Sequence, residues 1–146
     1  MNGASVVAVT AVAVGFLVGC NEDSGTTPTP TPTHDSISID SIAPIAGTRL
    51  QGGQTVTITA TLNYSLASTA TGEIAIVIQD QAARNLEAPG DRGRALAISR
   101  GMGVATLSAT VIIPISGVST VNAFFPLVPE GATRTEVVAV ATYPVS

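Results

Sequence analysis

Gln54–Leu66 reads QTVTITATLNYSL. Val56, Ile58, Ala60, Leu62 and Tyr64 fall on one parity and Thr55, Thr57, Thr59, Thr61 and Asn63 on the other. A helix turns 100° per residue and would scatter these two sets around its circumference. Only a pleated strand, with side chains alternating across it, keeps them apart. One face is therefore apolar and the other a row of hydroxyls, which predicts a half-buried β-strand.

Working outward, the same period of two recurs in Ser36–Ile42, Gly72–Asp80, Arg94–Ser99, Gly103–Ile113, Val118–Leu127 and Arg134–Val145. Pro, Gly and Asn gather between these runs, at Pro44–Gly53, Ala88–Gly93, Pro114–Gly117 and Pro129–Gly131, where turns are expected. Residues 37–146 thus read as one all-β domain, long enough to bury a core without disulfides. Seven short strands in this length predict an antiparallel β-sandwich, with a barrel as the competing closure. The layout is similar to that of immunoglobulin-like and fibronectin-III-like domains, although the core Trp and the paired Cys of antibody domains are missing.

That layout implies particular partners. The strand at 54–64 would pair with the one at 103–113, setting Val56, Ile58, Ala60 and Leu62 against Ala105, Leu107, Ala109 and Val111, with Leu96 and Ile98 extending the layer. Thr55, Thr57, Thr59 and Thr61 would share the outer face with Thr106, Ser108 and Thr110. This hydroxyl carpet reads as a solvent face, because Thr is the strand former that tolerates water. An ordered-surface binder would need a flatter and wider array. The second sheet, 72–80 with 118–127 and 134–145, looks apolar on both sides. Phe124 and Phe125 are neighbours, so one must face outward. Val77, Phe124, Val138 and Val140 are the expected partner face, since a sheet apolar on both sides needs a cover. The cover could be an envelope protein, a second copy or a loop of the same chain.

The N-terminal region reads differently. Ala4–Val18 carries no charge. As a helix it would span roughly 22 Å, short for a bilayer crossing and of the length of a signal-peptide core. It ends in Leu17-Val18-Gly19-Cys20. These four residues resemble the lipobox of bacterial lipoproteins. The resemblance covers about twenty residues and implies cleavage between Gly19 and Cys20 and a diacylglycerol on the Cys20 sulfur. It thereby implies a membrane contact through lipid. Asn21 follows Cys20 where some bacteria place Asp as an inner-membrane retention signal, which favours the outer membrane over the inner. Met1-Asn2-Gly3 lacks the usual basic residue. The chain thus divides into a signal peptide (1–19), a lipidated Cys with a Thr/Pro-rich tether (20–36) and the domain (37–146). Thr-Pro alternation in the tether favours extended, polyproline-like backbone, and such tracts also accept O-glycans. His34 is expected there as a solvated residue.

Composition narrows the functions. Net charge is −4, and the six Lys+Arg are all Arg with no basic run, so the chain has no electrostatic footprint for nucleic acid. The single Cys rules out an internal disulfide and a thiolate zinc cluster, and the single His lies outside the domain. The domain carboxylates are scattered and no phosphate loop is present, so no catalytic residue, cofactor or metal is expected. Calcium through Asp80, Glu87 and Asp91 would need a loop pattern that this stretch lacks. Gln79–Arg94, where charges of both signs concentrate, is expected as a solvated loop. The function read from the sequence is a membrane-anchored, non-enzymatic interaction module. A small-ligand or glycan-binding module is the alternative, and it would require Phe124 or Tyr143 in a concave, polar-rimmed groove.

Overall fold

The computed structural model describes residue 28 and residues 30–135 and 137–146. The leader, Gly19 and Cys20 lie outside the described residues. All six strands form one antiparallel hydrogen-bonded sheet: β1 (Ser36–Ala43), β2 (Thr55–Ala75), β3 (Val77–Asp80), β4 (Ala95–Ile112), β5 (Thr120–Pro129) and β6 (Val137–Pro144). No helix is found among the described residues. β2 lies between β1 and β4, and β5 pairs with β3, β6 and the end of β2.

The sheet is folded over into two layers. The first contains β1, the first half of β2 and the second half of β4. The second contains the end of β2 with β3, then β5 and β6. Seven strands were expected and six are seen, because two expected breaks are bends and the expected strand 72–80 is divided at Ile76 between β2 and β3. The β2–β4 ladder runs from Thr55↔Ile112 to Ala75↔Ala95 and is interrupted only by a register shift between Leu66 and Thr71. The slack residues on β2 sit opposite Arg100 and Gly101, and Gly101 takes φ 130°, a backbone that costs glycine little. Both strands turn the corner together without losing the ladder. Gly72 completes the corner. A Cβ there would lie 2.8 Å from the Val128 carbonyl oxygen, so only glycine lets β2 pass this close to β5.

Alternating side chains of both layers meet in between. Ile58, Ala60 and Leu62 from β2 and Val111 from β4 are fully buried, as are Ile78, Val121, Ala123, Phe125, Leu127 and Tyr143 from the second layer. The expected cross-strand pairs are all present: Val56↔Val111, Ile58↔Ala109, Ala60↔Leu107 and Leu62↔Ala105. Leu96 departs from expectation. Ile98 is buried, but Leu96, near the start of β4, is 40% exposed, because the opposite layer ends before covering it. The hydroxyl face is a ladder of cross-strand bonds: Thr57 to Thr110 (3.3 Å), Thr59 to Ser108 (3.0 Å) and Thr61 to Thr106 (3.4 Å). These groups satisfy one another, as such pairs do on a solvent-facing sheet.

Two further ties close the domain. The Tyr143 hydroxyl donates to the Pro44 carbonyl at 2.8 Å, and burial pushes its phenol up. The segment 47–52 runs parallel to the end of the chain. Leu50 N–H donates to Pro144 O (2.9 Å) and Ser146 N–H to Leu50 O (3.0 Å), which covers the C-terminal end of the outer edge of β6.

Candidate functional site

Register builds the site. Val77 pairs with Phe124, and Phe124 pairs with Val140. Directly opposed residues on an antiparallel pair point the same way. Their neighbours Ile78, Ala123, Phe125 and Ala141 point into the core, so Val77, Phe124 and Val140 form a row on the outside. Val138 stands opposite Pro126 on the same face. Val138 and Val140 are each 46% exposed, and Val77 and Phe124 are half-buried. All four residues expected from the sequence are thus brought together on one sheet face. Pro126 and Val128 enlarge the patch. They were legible from the same alternation, which continues to the end of β5.

A polar row borders the patch on one side. Gln79 Nε2 donates to Asn85 Oδ1 and Thr142 Oγ1 to Asn122 Oδ1, both at 2.9 Å. Among the described residues the patch is a sheet surface with a single aromatic ring and no carboxylate or cation within it. It can exclude water against another apolar surface, and its described side chains include none able to transfer a proton or ligate a metal.

The charged stretch Gln79–Arg94 corrects an expectation. Its acids turn inward instead of into solvent. Asp80 is 2% exposed, and its carboxylate accepts from the amides of Ala82 (2.8 Å) and Arg84 (2.9 Å) and from Arg84 Nε (2.6 Å). Glu87 is buried as well and accepts from the Ile78 amide, while its other oxygen has no partner among the described residues. Asp91 accepts from Thr110 N–H (2.6 Å) and pairs with Arg94 (3.1 Å). The physical reason is the demand for acceptors at strand ends, where backbone N–H groups have lost their ladder partners. The loop is therefore strapped to the sheet by its carboxylates, with its arginines outside.

These bonds set a pH dependence. The Arg84 amide, first among several donors, holds the Asp80 carboxyl below the usual range against the upward pull of desolvation. The Thr110 amide does the same for Asp91. A carboxylate held low in the folded state stabilises above its unfolded value, and that stability is lost as pH falls through the folded value. The melting temperature is expected to hold steady from neutral pH to about 4 and to fall below it. Asp80→Asn should flatten this acid limb while lowering the neutral plateau. Parallel curves for the two proteins would refute the strap.

At the other end of the domain the tether is caught. Asp35 accepts from the amides of Ala67 (2.7 Å) and Ser68 (2.9 Å), and His34 O accepts from Ser65 Oγ (2.9 Å). Burial pushes the Asp35 carboxyl up, but the Ser68 hydroxyl and these amides outweigh it and hold it below the usual range. His34 itself is exposed. An open groove of about 730 Å³ lies beside it, lined by Thr33, Ser68, Glu130 and Arg134 among others; no aromatic side chain lines it. Of the remaining aromatics, Tyr143 is fully buried and Tyr64 is half-buried across Gly103, its strand partner. Among the described residues no three His, Cys, Asp or Glu side chains come together as a metal site, and no helix is long and apolar enough to cross a membrane.

No protein-family model and no curated protein matches the chain. Among solved structures it is similar to an ASH/PapD-like domain of human CEP192, with 12% identity, a TM-score of 0.34 and coverage of 94% of this chain and 96% of that one. It is also similar to an AA10 lytic polysaccharide monooxygenase from Streptomyces lividans, with 18% identity, a TM-score of 0.28 and coverage of 68% of this chain and 58% of that one.

Proposed function

We propose that the chain is a lipid-anchored envelope protein whose immunoglobulin-like β-sandwich presents the β3–β5–β6 face to a protein partner, without catalytic activity. The observation that carries this reading is the outward apolar row Val77–Phe124–Val140 on a sheet whose other side is already the core. The Leu17-Val18-Gly19-Cys20 motif supports the anchor, since an acylated Cys20 would hold the domain at the membrane through the Thr/Pro tract. Asn21 after the Cys favours the outer membrane.

A glycan or small-ligand module would present an aromatic platform beside polar groups in a groove. Phe124 instead lies on a sheet face beside Val77 and Val140, while Tyr143 is spent on the core. Protein contact is the better fit for such a surface.

The test is cross-linking in cells followed by mass spectrometry, run on the native chain and on Phe124→Glu. A recurrent cross-linked partner that disappears in the variant, with the melting temperature preserved, is the expected result. Absence of any recurrent partner from the native chain would refute the protein-contact reading. The anchor is tested separately by the intact mass of native material, which should show loss of residues 1–19 and a lipid adduct on Cys20.

A further inference from the structure

Unpaired strand edges invite further strands, and this domain defends most of its own. The C-terminal end of the β6 edge is covered by the segment 47–52, through Gly47 N–H to Thr142 O and Leu50 N–H to Pro144 O. The β3 edge is covered by Asn85 and Leu86, through Leu86 N–H to Ile78 O at 2.9 Å. The β1 edge is broken by a register shift at Asp40, a charged residue, and ends at Pro44. The C-terminal end of β4 is covered where Ala88 N–H donates to Thr110 O (2.8 Å) and Thr110 N–H to Asp91 (2.6 Å).

Among the described residues the middle of β4 has no such cover. Both backbone groups of Thr110 point away from β2. The β2–β4 register is unbroken from Gly101 to Ile112, so antiparallel alternation points the backbone groups of Ser108, Thr106, Val104 and Met102 the same way. Arg94 reaches only Ser108 O, at 3.4 Å. Among the named strands β4 pairs with β2 alone. Gly101–Ala109 reads GMGVATLSA, with no charge, no proline and no bulge. On this same run Met102 is 65% and Val104 66% exposed.

We propose that this edge pairs with the same edge of a second copy, antiparallel about a two-fold axis, so that the two first layers join into one sheet across β4. Self-pairing suits this run for two reasons. A two-fold axis brings each charge on an edge close to its own copy, and Gly101–Ala105, which would pair with itself about Gly103, has none to repel. With the axis at Gly103, Met102 of each copy lies opposite Val104 of the other, so four exposed apolar side chains cover one another on one face. Such an interface is isologous and closes at two copies. It is smaller than the standard stable interface, so the dimer should be weak and concentration-dependent. The surface is separate from the Val77–Phe124–Val140 face, and the inference does not depend on what that face binds.

The experiment is light scattering and sedimentation of the full chain in mild detergent, from micromolar to millimolar concentration. The mass is expected to rise from monomer to dimer. Val104→Lys sets cations near the axis and should leave a monomer throughout. Val104→Pro removes an N–H that the β2 ladder does not use and should do the same with the melting temperature nearly unchanged. Phe124→Glu should still dimerise. Hydrogen exchange adds a reading that needs no variant: the amides of Met102 and Val104 should gain protection as concentration rises. A chain that stays monomeric at millimolar concentration would overturn the proposal. So would a dimer that survives Val104→Lys, or one that leaves those two amides unprotected.

Discussion

Phe125→Ala is expected to lower the stability of the domain by about 3–5 kcal/mol, the range for deleting a fully buried phenylalanine. Phe125 is 0% exposed on the inner face of β5, between Ala123 and Leu127, which are also fully buried. Loss of the ring removes apolar burial and leaves a void that the rigid two-layer core cannot close. A domain of this size is stable by only about 5–15 kcal/mol in total, so the variant should melt more than 10 °C lower or fail to accumulate. Phe124→Ala is the control. Its ring lies on the outer surface of the same strand, one residue away, and its loss should cost about 1 kcal/mol or less. Thermal or urea melts of the two variants decide the matter. Equal losses would mean that the inward and outward faces of β5 are assigned wrongly.

Cys20→Ser is expected to move the protein from the membrane fraction to the soluble fraction. Each buried methylene of an acyl chain contributes roughly 0.8 kcal/mol, and a single chain binds only marginally, so anchoring depends on the full modification at this residue. Deleting the sulfur removes the attachment point altogether. The domain should be untouched, because among the described residues the first bonds to the sheet are those of His34 and Asp35, and the melting temperature should stay the same. Fractionation with a carbonate wash and immunodetection reads the outcome. A variant that stays in the washed membranes would show that the apolar run Ala4–Val18 holds the protein there, and would remove the lipid from the account.

The two predictions draw on different sources. Cys20 belongs to a motif legible only in the sequence, since it lies outside the described residues. The contrast between Phe124 and Phe125 needed both. Their adjacency required that they face opposite ways, and the sequence reading set Phe124 outward with Val77, Val138 and Val140. Register supplies the reason: Phe125 shares its parity with Val121, Ala123 and Leu127, which are fully buried.

Gln54–Leu66 was enough to announce an all-β chain, because no other backbone separates Thr from Val and Ile so cleanly. It also set the inner pairs with β4, since strands whose apolar parities must coincide have few registers open to them. The four residues of the candidate face were likewise readable as the second apolar parity of three strands. Three features were decided only in three dimensions. The corner at Gly72 and Gly101 keeps two strands continuous where composition suggests breaks, because a register shift can absorb a bend without giving up the ladder. The acids of Gln79–Arg94 turn inward, because unpaired amides at strand ends attract carboxylates more strongly than the local charge pattern reveals. The open edge of β4 depends on which segments fold back over which strands. That arrangement is set by the packing of the whole chain, and a residue's own neighbours in sequence carry no record of it.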